Sequence, residues 1–148
     1  LGNPNVQAFL RLIRLAEGTS DDLGYRRLVG GGEFSVPPWR HPNKRVFIPR
    51  YYVYSTAAGA YQFLHRTWAG LVDQYGFTDF CPANQDMGAV ALIAGRGALD
   101  DVRAGRIELA IDKCKKEWAS LPGSRYGQRT EELDTLLAEY AKHGGVVV

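Results

Sequence analysis

Four short stretches of this chain combine small residues with one polar or aromatic group. They are Ala16-Glu17-Gly18-Thr19, Val29-Gly30-Gly31-Gly32-Glu33, Ser55-Thr56-Ala57-Ala58-Gly59-Ala60-Tyr61-Gln62 and Leu121-Pro122-Gly123-Ser124-Arg125-Tyr126-Gly127-Gln128. Small residues let a polymer approach the backbone closely, and the polar group fixes its register. Glu17 is the candidate for proton transfer, because a carboxyl at the end of an apolar helix has its protonated form favoured by desolvation and then suits donation to a leaving oxygen. A carboxylate at that end also opposes the helix dipole, so it gains nothing there for stability. Tyr25, Tyr61, Gln62, Tyr126 and Gln128 are residue types that hold a glycan, through hydrogen bonds to its hydroxyls and acetamides and through ring faces beneath its sugars. Taken singly, each has a plainer reading. Glu17 could be an exposed terminal charge, Ser55 or Thr56 a cap for a helix starting near Gly59, and Gly123 and Gly127 turn residues.

Other chemistries find little support. His41, His65 and His143 lack metal-ligand spacing and read as surface or loop residues. Gly30 to Gly32 runs into Glu33 and Phe34 rather than into a helix that could hold a phosphate. Cys81 and Cys114 lie far apart without the paired spacing of a zinc site, and Cys114 falls on an apolar helical stripe; both are read as reduced thiols. No cofactor is expected.

The elements that must position these residues follow from periodicity. Val6, Phe9, Leu10, Ile13 and Ala16 recur at helical spacing, with Asn3 or Asn5 available as a cap and Pro4 tolerable in the first turn, predicting a helix over about 4–16 that Gly18 stops. From Thr19 to Thr56 the pattern turns to Gly, Pro, aromatic and β-branched residues, predicting short strands and loops, with β-propensity in Tyr51 to Tyr54. Helices return beyond Gly59. One stripe is Tyr61, Leu64, Trp68, Leu71, Val72 and Tyr75, ended by Gly76, and a second helix lies between Pro82 and Gly95. Ile107, Ala110, Ile111, Cys114 and Trp118 mark a third, and Leu133, Leu136, Leu137, Tyr140 and Ala141 a fourth, closed by Gly144-Gly145. The result is an α+β arrangement in one domain over 1–148: a small β-rich lobe at about 19–56, a helical lobe for the remainder, and a cleft between them with Glu17 at the seam.

Composition bounds this reading. A chain of 148 residues, 45% hydrophobic and 23% charged, fits one ordinary globular domain. A formal charge of +2 is too small to imply nucleic-acid binding. Arg40, Lys44, Arg45 and Arg50 form the one loose basic cluster, read either as a solvated loop or as an attraction for an anionic polymer such as a wall carrying acidic sugars and peptides. No run of eighteen apolar residues could span a membrane, and no basic-then-apolar leader opens the sequence.

On Glu17-Gly18-Thr19, Gly24-Tyr25, Val29-Gly30-Gly31, His41-Pro42, Ser55-Thr56 with Gly59, Tyr61-Gln62, Gln85-Asp86, Arg96-Gly97-Ala98-Leu99, Ala110-Ile111-Asp112 with Cys114, and Trp118 to Gly123 with Tyr126-Gly127-Gln128, the chain resembles the lambda-type phage endolysins. These are lytic transglycosylases, and the resemblance runs from about Phe9 to Gly145. It implies a lysozyme-like fold and cleavage of the β-1,4 bond from N-acetylmuramic acid to N-acetylglucosamine. Glu17 matches the catalytic glutamate, and Tyr25, Glu33, Ser55, Thr56, Ala58, Gln62, Tyr126 and Gln128 match substrate-contacting motifs. The resemblance also implies peptidoglycan glycan strands as partner, action as a monomer, and residence in the host cytoplasm until a holin opens the membrane to the wall. Ala57 and Ala60 stand where the family pattern has Gly and Arg, Cys81 where it has Ser, and the Pro37-Pro38-Trp39 loop differs. Two rivals remain: a hydrolytic muramidase and a non-catalytic wall-binding module. The T-even muramidase pattern places Asp nine residues after the Glu and Thr six further on, where this chain has Arg26 and Gly32. Asp21, Asp22 and Glu33 are the remaining candidates for a second carboxylate.

Overall fold

Asn3 begins the first element by turning its side-chain oxygen back onto the amides of Asn5 (2.9 Å) and Val6 (3.3 Å), which satisfies two of the donors a helix start leaves open. Helix α1 then runs Pro4–Glu17 and ends at Gly18, whose φ of 76° is the left-handed cap that glycine adopts without strain. In this computed structural model, which describes residues 2–123 and 131–148, five further α-helices follow among the described residues: α2 (His65–Tyr75), α3 (Pro82–Gly95), α4 (Leu99–Ala104), α5 (Ile107–Cys114) and α6 (Glu131–Lys142). Strands β1 (Val46–Ile48) and β2 (Val53–Ser55) pair antiparallel, with Val46 opposite Ser55 and Ile48 opposite Val53. The fold is α+β.

The chain divides into two compact units. One holds the residues up to Gly18 together with those from Ala89 onward, and the other holds Thr19–Gly88. In the first, α1 packs against α6 and α4. Ala8 and Leu12 are buried beside the stripe of Val6, Phe9, Leu10 and Ile13, so α1 is covered on nearly all sides and is the central helix of its unit. Asn5 ties three segments together, giving a side-chain N–H to the Arg103 carbonyl (3.2 Å) and accepting from the Val146 amide (3.0 Å). Asp101, 4% exposed, pairs with Arg106 (2.8 Å) and Lys113 (2.6 Å), and these bonds hold its carboxyl below the usual carboxylate range despite burial. It thereby fastens α4 to α5.

The second unit is built on aromatic packing around Phe63, Trp68 and Phe80, with Trp68 and Phe80 ring centroids 4.7 Å apart. Gly88 lies under Trp68: an added Cβ would come within 2.9 Å of the indole. His41 is buried here as a neutral ring, Nε2 donating to the Phe63 carbonyl (2.7 Å) and Nδ1 accepting from the Asn43 amide (3.0 Å). Burial lowers its pKa, the Phe63 bond opposes this, and neighbouring His65 adds to the lowering.

Three expectations change. Tyr61 and Leu64 precede α2 rather than forming its first turns, because 59–64 folds as a turn in which Ala58 and Phe63 exchange backbone bonds of 3.0 and 2.9 Å. Tyr51 and Tyr52 form the hairpin turn, Tyr52 with φ of 54°, and the strand starts only at Val53. Trp118 lies beyond the end of α5. Helix α4, six residues long, is too short to show a period in the sequence. Cys81 and Cys114 are free thiols, and burial pushes Cys114 up to about 12. Among the described residues no helix is long and apolar enough to cross a membrane.

Candidate active site

Glu17 is the last residue of α1, half-buried where the helix meets Gly18. Its neighbour in space is Ser120, 103 positions away in sequence, whose hydroxyl donates to Oε2. Ser120 is carried on the short segment after α5, which Trp118 and Leu121 anchor by their burial on either side. The Glu17 carboxyl has its pKa raised above the ordinary 4.5 by burial, and the Ser120 hydrogen bond opposes part of that rise. The position at the C-terminal end of α1 acts in the same direction as burial, since the carbonyl ends of a helix disfavour a negative charge. Because Oε2 accepts from Ser120, the proton of the neutral acid belongs on Oε1. Burial thus favours the protonated form of this carboxyl, the form a proton donor needs. Ser120 was not among the expected site residues: nothing local in Trp118-Ala119-Ser120-Leu121 distinguishes it, and the contact exists only once α1 and the distant segment pack.

The expected binding residues of the second unit fall into two groups, with Glu33 apart from them. Tyr25 and Tyr61 both donate to Oδ1 of Asp86, at 2.8 and 2.6 Å, with their rings edge to face at 6.5 Å. Asp86 orients both tyrosines, a role visible in the sequence only as the dipeptide Gln85-Asp86. Next to it Gln85, wholly buried, donates to the carbonyls of Tyr25 (3.0 Å) and Phe80 (2.8 Å) and accepts from the Ala60 amide (2.9 Å). The second group is the turn itself. Gln62, at φ of 49°, folds its amide back to donate to the carbonyls of Gly59 (2.9 Å) and Arg27 (3.3 Å). Ser55 accepts from the Ala57 amide (3.1 Å), and Thr56 accepts from the His65 amide (3.0 Å), so Thr56 does cap a helix, but the one that begins nine residues on. Ala58, expected at the glycan surface, is wholly buried, bridged on both sides to Leu28 and Phe63. It frames the turn and has no surface to offer a ligand.

Glu33 stands apart from both groups: exposed, it pairs with Arg26 (3.6 Å) and Arg27 (3.5 Å). Asp21 is held by Arg27 at 2.7 Å. Tyr126 and Gln128 lie outside the described residues. Among the described residues no three His, Cys, Asp or Glu side chains cluster as a metal site would require.

An acid at the end of a buried central helix, in an α+β fold of this kind, defines the class of lysozyme-like enzymes. The structure superimposes on "Lysozyme from bacteriophage lambda" with a TM-score of 0.89 at 38% identity, covering 99% of this chain and 97% of that one. It matches the bacteriophage lambda lysozyme complexed with a chitohexasaccharide with a TM-score of 0.87 at 39% identity, over 99% and 97% of the two chains. The family model described as Endolysin matches residues 7–147. The endolysin of Escherichia phage P2 is 40% identical over 96% of this chain and 94% of its own length, and that of Escherichia phage lambda is 40% identical over 98% and 94%. The chain therefore belongs to the endolysin family, phage lysozyme-like enzymes that degrade the bacterial cell wall.

Proposed function

We propose that this enzyme is a peptidoglycan lytic transglycosylase. It cleaves the β-1,4 bond between N-acetylmuramic acid and N-acetylglucosamine, leaves 1,6-anhydro muramoyl ends, and serves host cell lysis. The observation that carries the reading is a half-buried glutamate at a helix end, its pKa raised by burial and its carboxyl held by the Ser120 hydroxyl. Glu17 Oε1 gives its proton to the glycosidic oxygen as the C1–O bond breaks. The carboxylate so formed takes the proton of the muramoyl 6-hydroxyl as O6 bonds to C1, which returns Glu17 to its starting state. No water is activated, so the second carboxylate of the usual glycosidase pair has no task. Of the three carboxylates that could have filled that task, Asp21 pairs with Arg27 and Glu33 with Arg26 and Arg27, while Asp22 is exposed. The relative whose structure contains a chitohexasaccharide supports an amino-sugar polymer as ligand. Tyr25, oriented by Asp86, and the half-buried Ser55, Thr56 and Gln62 are suited to hold it.

The products test this directly. Mass spectrometry of digested sacculi is expected to show muropeptides lighter by one water than their hydrolytic counterparts. Reducing muramic ends alone would instead establish a hydrolytic muramidase.

Ser120→Ala probes the acid itself. Its hydroxyl stabilises the ionised carboxylate, so removing it raises the Glu17 pKa further, and the alkaline limb of the kcat–pH profile is expected to move to higher pH. A limb that stays in place, or moves to lower pH, would show that the bond does not tune the proton donor.

A further inference from the structure

From Phe34 to Val72 the sequence contains five Lys or Arg residues and no Asp or Glu, although the whole chain carries 16 acidic residues. The cations are Arg40, Lys44, Arg45, Arg50 and Arg66, and together they give this segment more positive charge than the entire molecule, whose net is +2. Among the described residues none of the five has a carboxylate partner, whereas Arg26, Arg27, Arg96, Arg103 and Arg106 each do. Cations left without carboxylate partners in this way are open to an anion from outside.

Two of these cations, Arg45 and Arg66, line one pocket. Strand β2 and the first turn of α2 enclose an open pocket of about 620 Å³, whose walls include Arg45, Tyr52, Tyr54, Ser55, His65 and Arg66, with no acidic residue among the lining side chains. The Thr56 hydroxyl, bonded to the His65 amide, pins the start of α2 to the end of β2 and so fixes Arg66 across from the hairpin. Arg45 lies over the Tyr54 ring at 4.9 Å, and Arg50 over Tyr51 at 5.3 Å. A guanidinium resting over a ring uses none of its N–H donors on that contact, which leaves them for a bidentate acceptor.

We propose that this pocket receives the free carboxylates of the peptide stems borne by the muramic acid residues. The proposal rests on peptidoglycan being the substrate, as read above. Each muramoyl lactyl group carries a short peptide that is anionic at neutral pH, and an enzyme moving along a glycan strand meets one at every second sugar. A concave pocket with two separated guanidiniums fits a discrete carboxylate-bearing chain better than it fits the flat anionic surface of a membrane. The occupant is therefore a stem peptide, with Arg45 and Arg66 as its carboxylate partners and Tyr52 and Tyr54 packing on its aliphatic stretches.

Binding to the full chain carrying Glu17→Gln tests the assignment without turnover. The probes are a disaccharide-tetrapeptide muropeptide, the same compound with its carboxylates amidated, and vesicles of phosphatidylglycerol and phosphatidylethanolamine. The free-acid muropeptide is expected to bind roughly tenfold more tightly than the amidated one, as charge-assisted pairs are stronger than neutral ones, and the preference is expected to weaken with salt. Arg45→Gln with Arg66→Gln is expected to abolish the preference. Equal affinity for the two muropeptides overturns the proposal, and since amidation alters only the ligand, that comparison stands even if the variant folds poorly. Survival of the preference in the folded double variant overturns it too. Vesicle binding that depends on Arg45 and Arg66, without any preference between the muropeptides, would assign the face to a membrane surface. Because the readout is binding, its failure leaves the anhydro-product test of the catalytic reading untouched.

Discussion

Glu17→Gln is expected to lower the rate of turbidity clearing of outer-membrane-permeabilised cells by about 10²-fold or more, the usual consequence of removing a general acid. The amide is nearly the same shape and can still accept from Ser120, but it has no proton to give. The same substitution is expected to leave the fold at least as stable at neutral pH. In the wild type the folded state raises the Glu17 pKa above 4.5, so folding favours the protonated acid. That favourable contribution is whole below pH 4.5 and is lost as pH rises through the raised value, after which the buried charge opposes folding. Glutamine carries no such cost. The melting temperature of Glu17→Gln should thus equal or exceed that of wild type at pH 7, and the gap should close as pH falls toward 4.5. A variant that clears cells at the wild-type rate would remove Glu17 from the mechanism and favour a binding module whose carboxyl is incidental. A variant that is inactive but also unfolded would say nothing for the acid, which is why both measurements belong together.

Gly59→Ala is expected to cost several kcal/mol of stability, about 3–5 kcal/mol. Gly59 has φ of 86°, in the left-handed region that alanine resists, and an added Cβ would strike the carbonyl oxygen of the Gln85 side chain and come within 2.8 Å of the Phe80 ring. Neither neighbour has room to yield. Gln85 is wholly buried and bonded to three backbone groups, and Phe80 sits in the aromatic core of the second unit. Backbone strain and overpacking together predict a loss of about 3–5 kcal/mol, read as a lower urea midpoint at unchanged slope. The effect should extend to activity, because Gly59 also accepts from Gln62 and donates to the Arg27 carbonyl at 2.8 Å, and so sets the turn on which Gln62 is held. A cost under about 1 kcal/mol would mean that Gln85 is free to repack, contrary to its three bonds.

What could be read from the sequence was whatever depends on neighbours within a few residues. Asn3 and Gly18 bound α1 because a side-chain cap and a left-handed residue act on the adjacent turn, and Gly76 ends α2 for the same reason. The span Pro82–Gly95 follows from a proline that starts a helix and a glycine that allows it to end. The position of Glu17 at a helix terminus followed from the same rules, and its chemical candidacy with it. The helical stripe assigned to Tyr61 and Leu64 failed because spacing registers which residues are buried and not what backbone buries them. Tyr61 is indeed 1% exposed, but in a turn fixed by Gly59 and by the bridge of Ala58 to Phe63.

Tertiary structure alone decided the environment of each functional group. Burial and a serine 103 residues away set the proton affinity of Glu17, and the Asp86 carboxylate sets the direction of Tyr25 and Tyr61. It also took Ala58 out of reach of any ligand and gathered Arg66 to the hairpin that bears Arg45. The physical reason is common to all of these. A residue's type and its local backbone are short-range properties, whereas a pKa, an orientation and a pocket are made by groups that meet only when distant parts of the chain pack together.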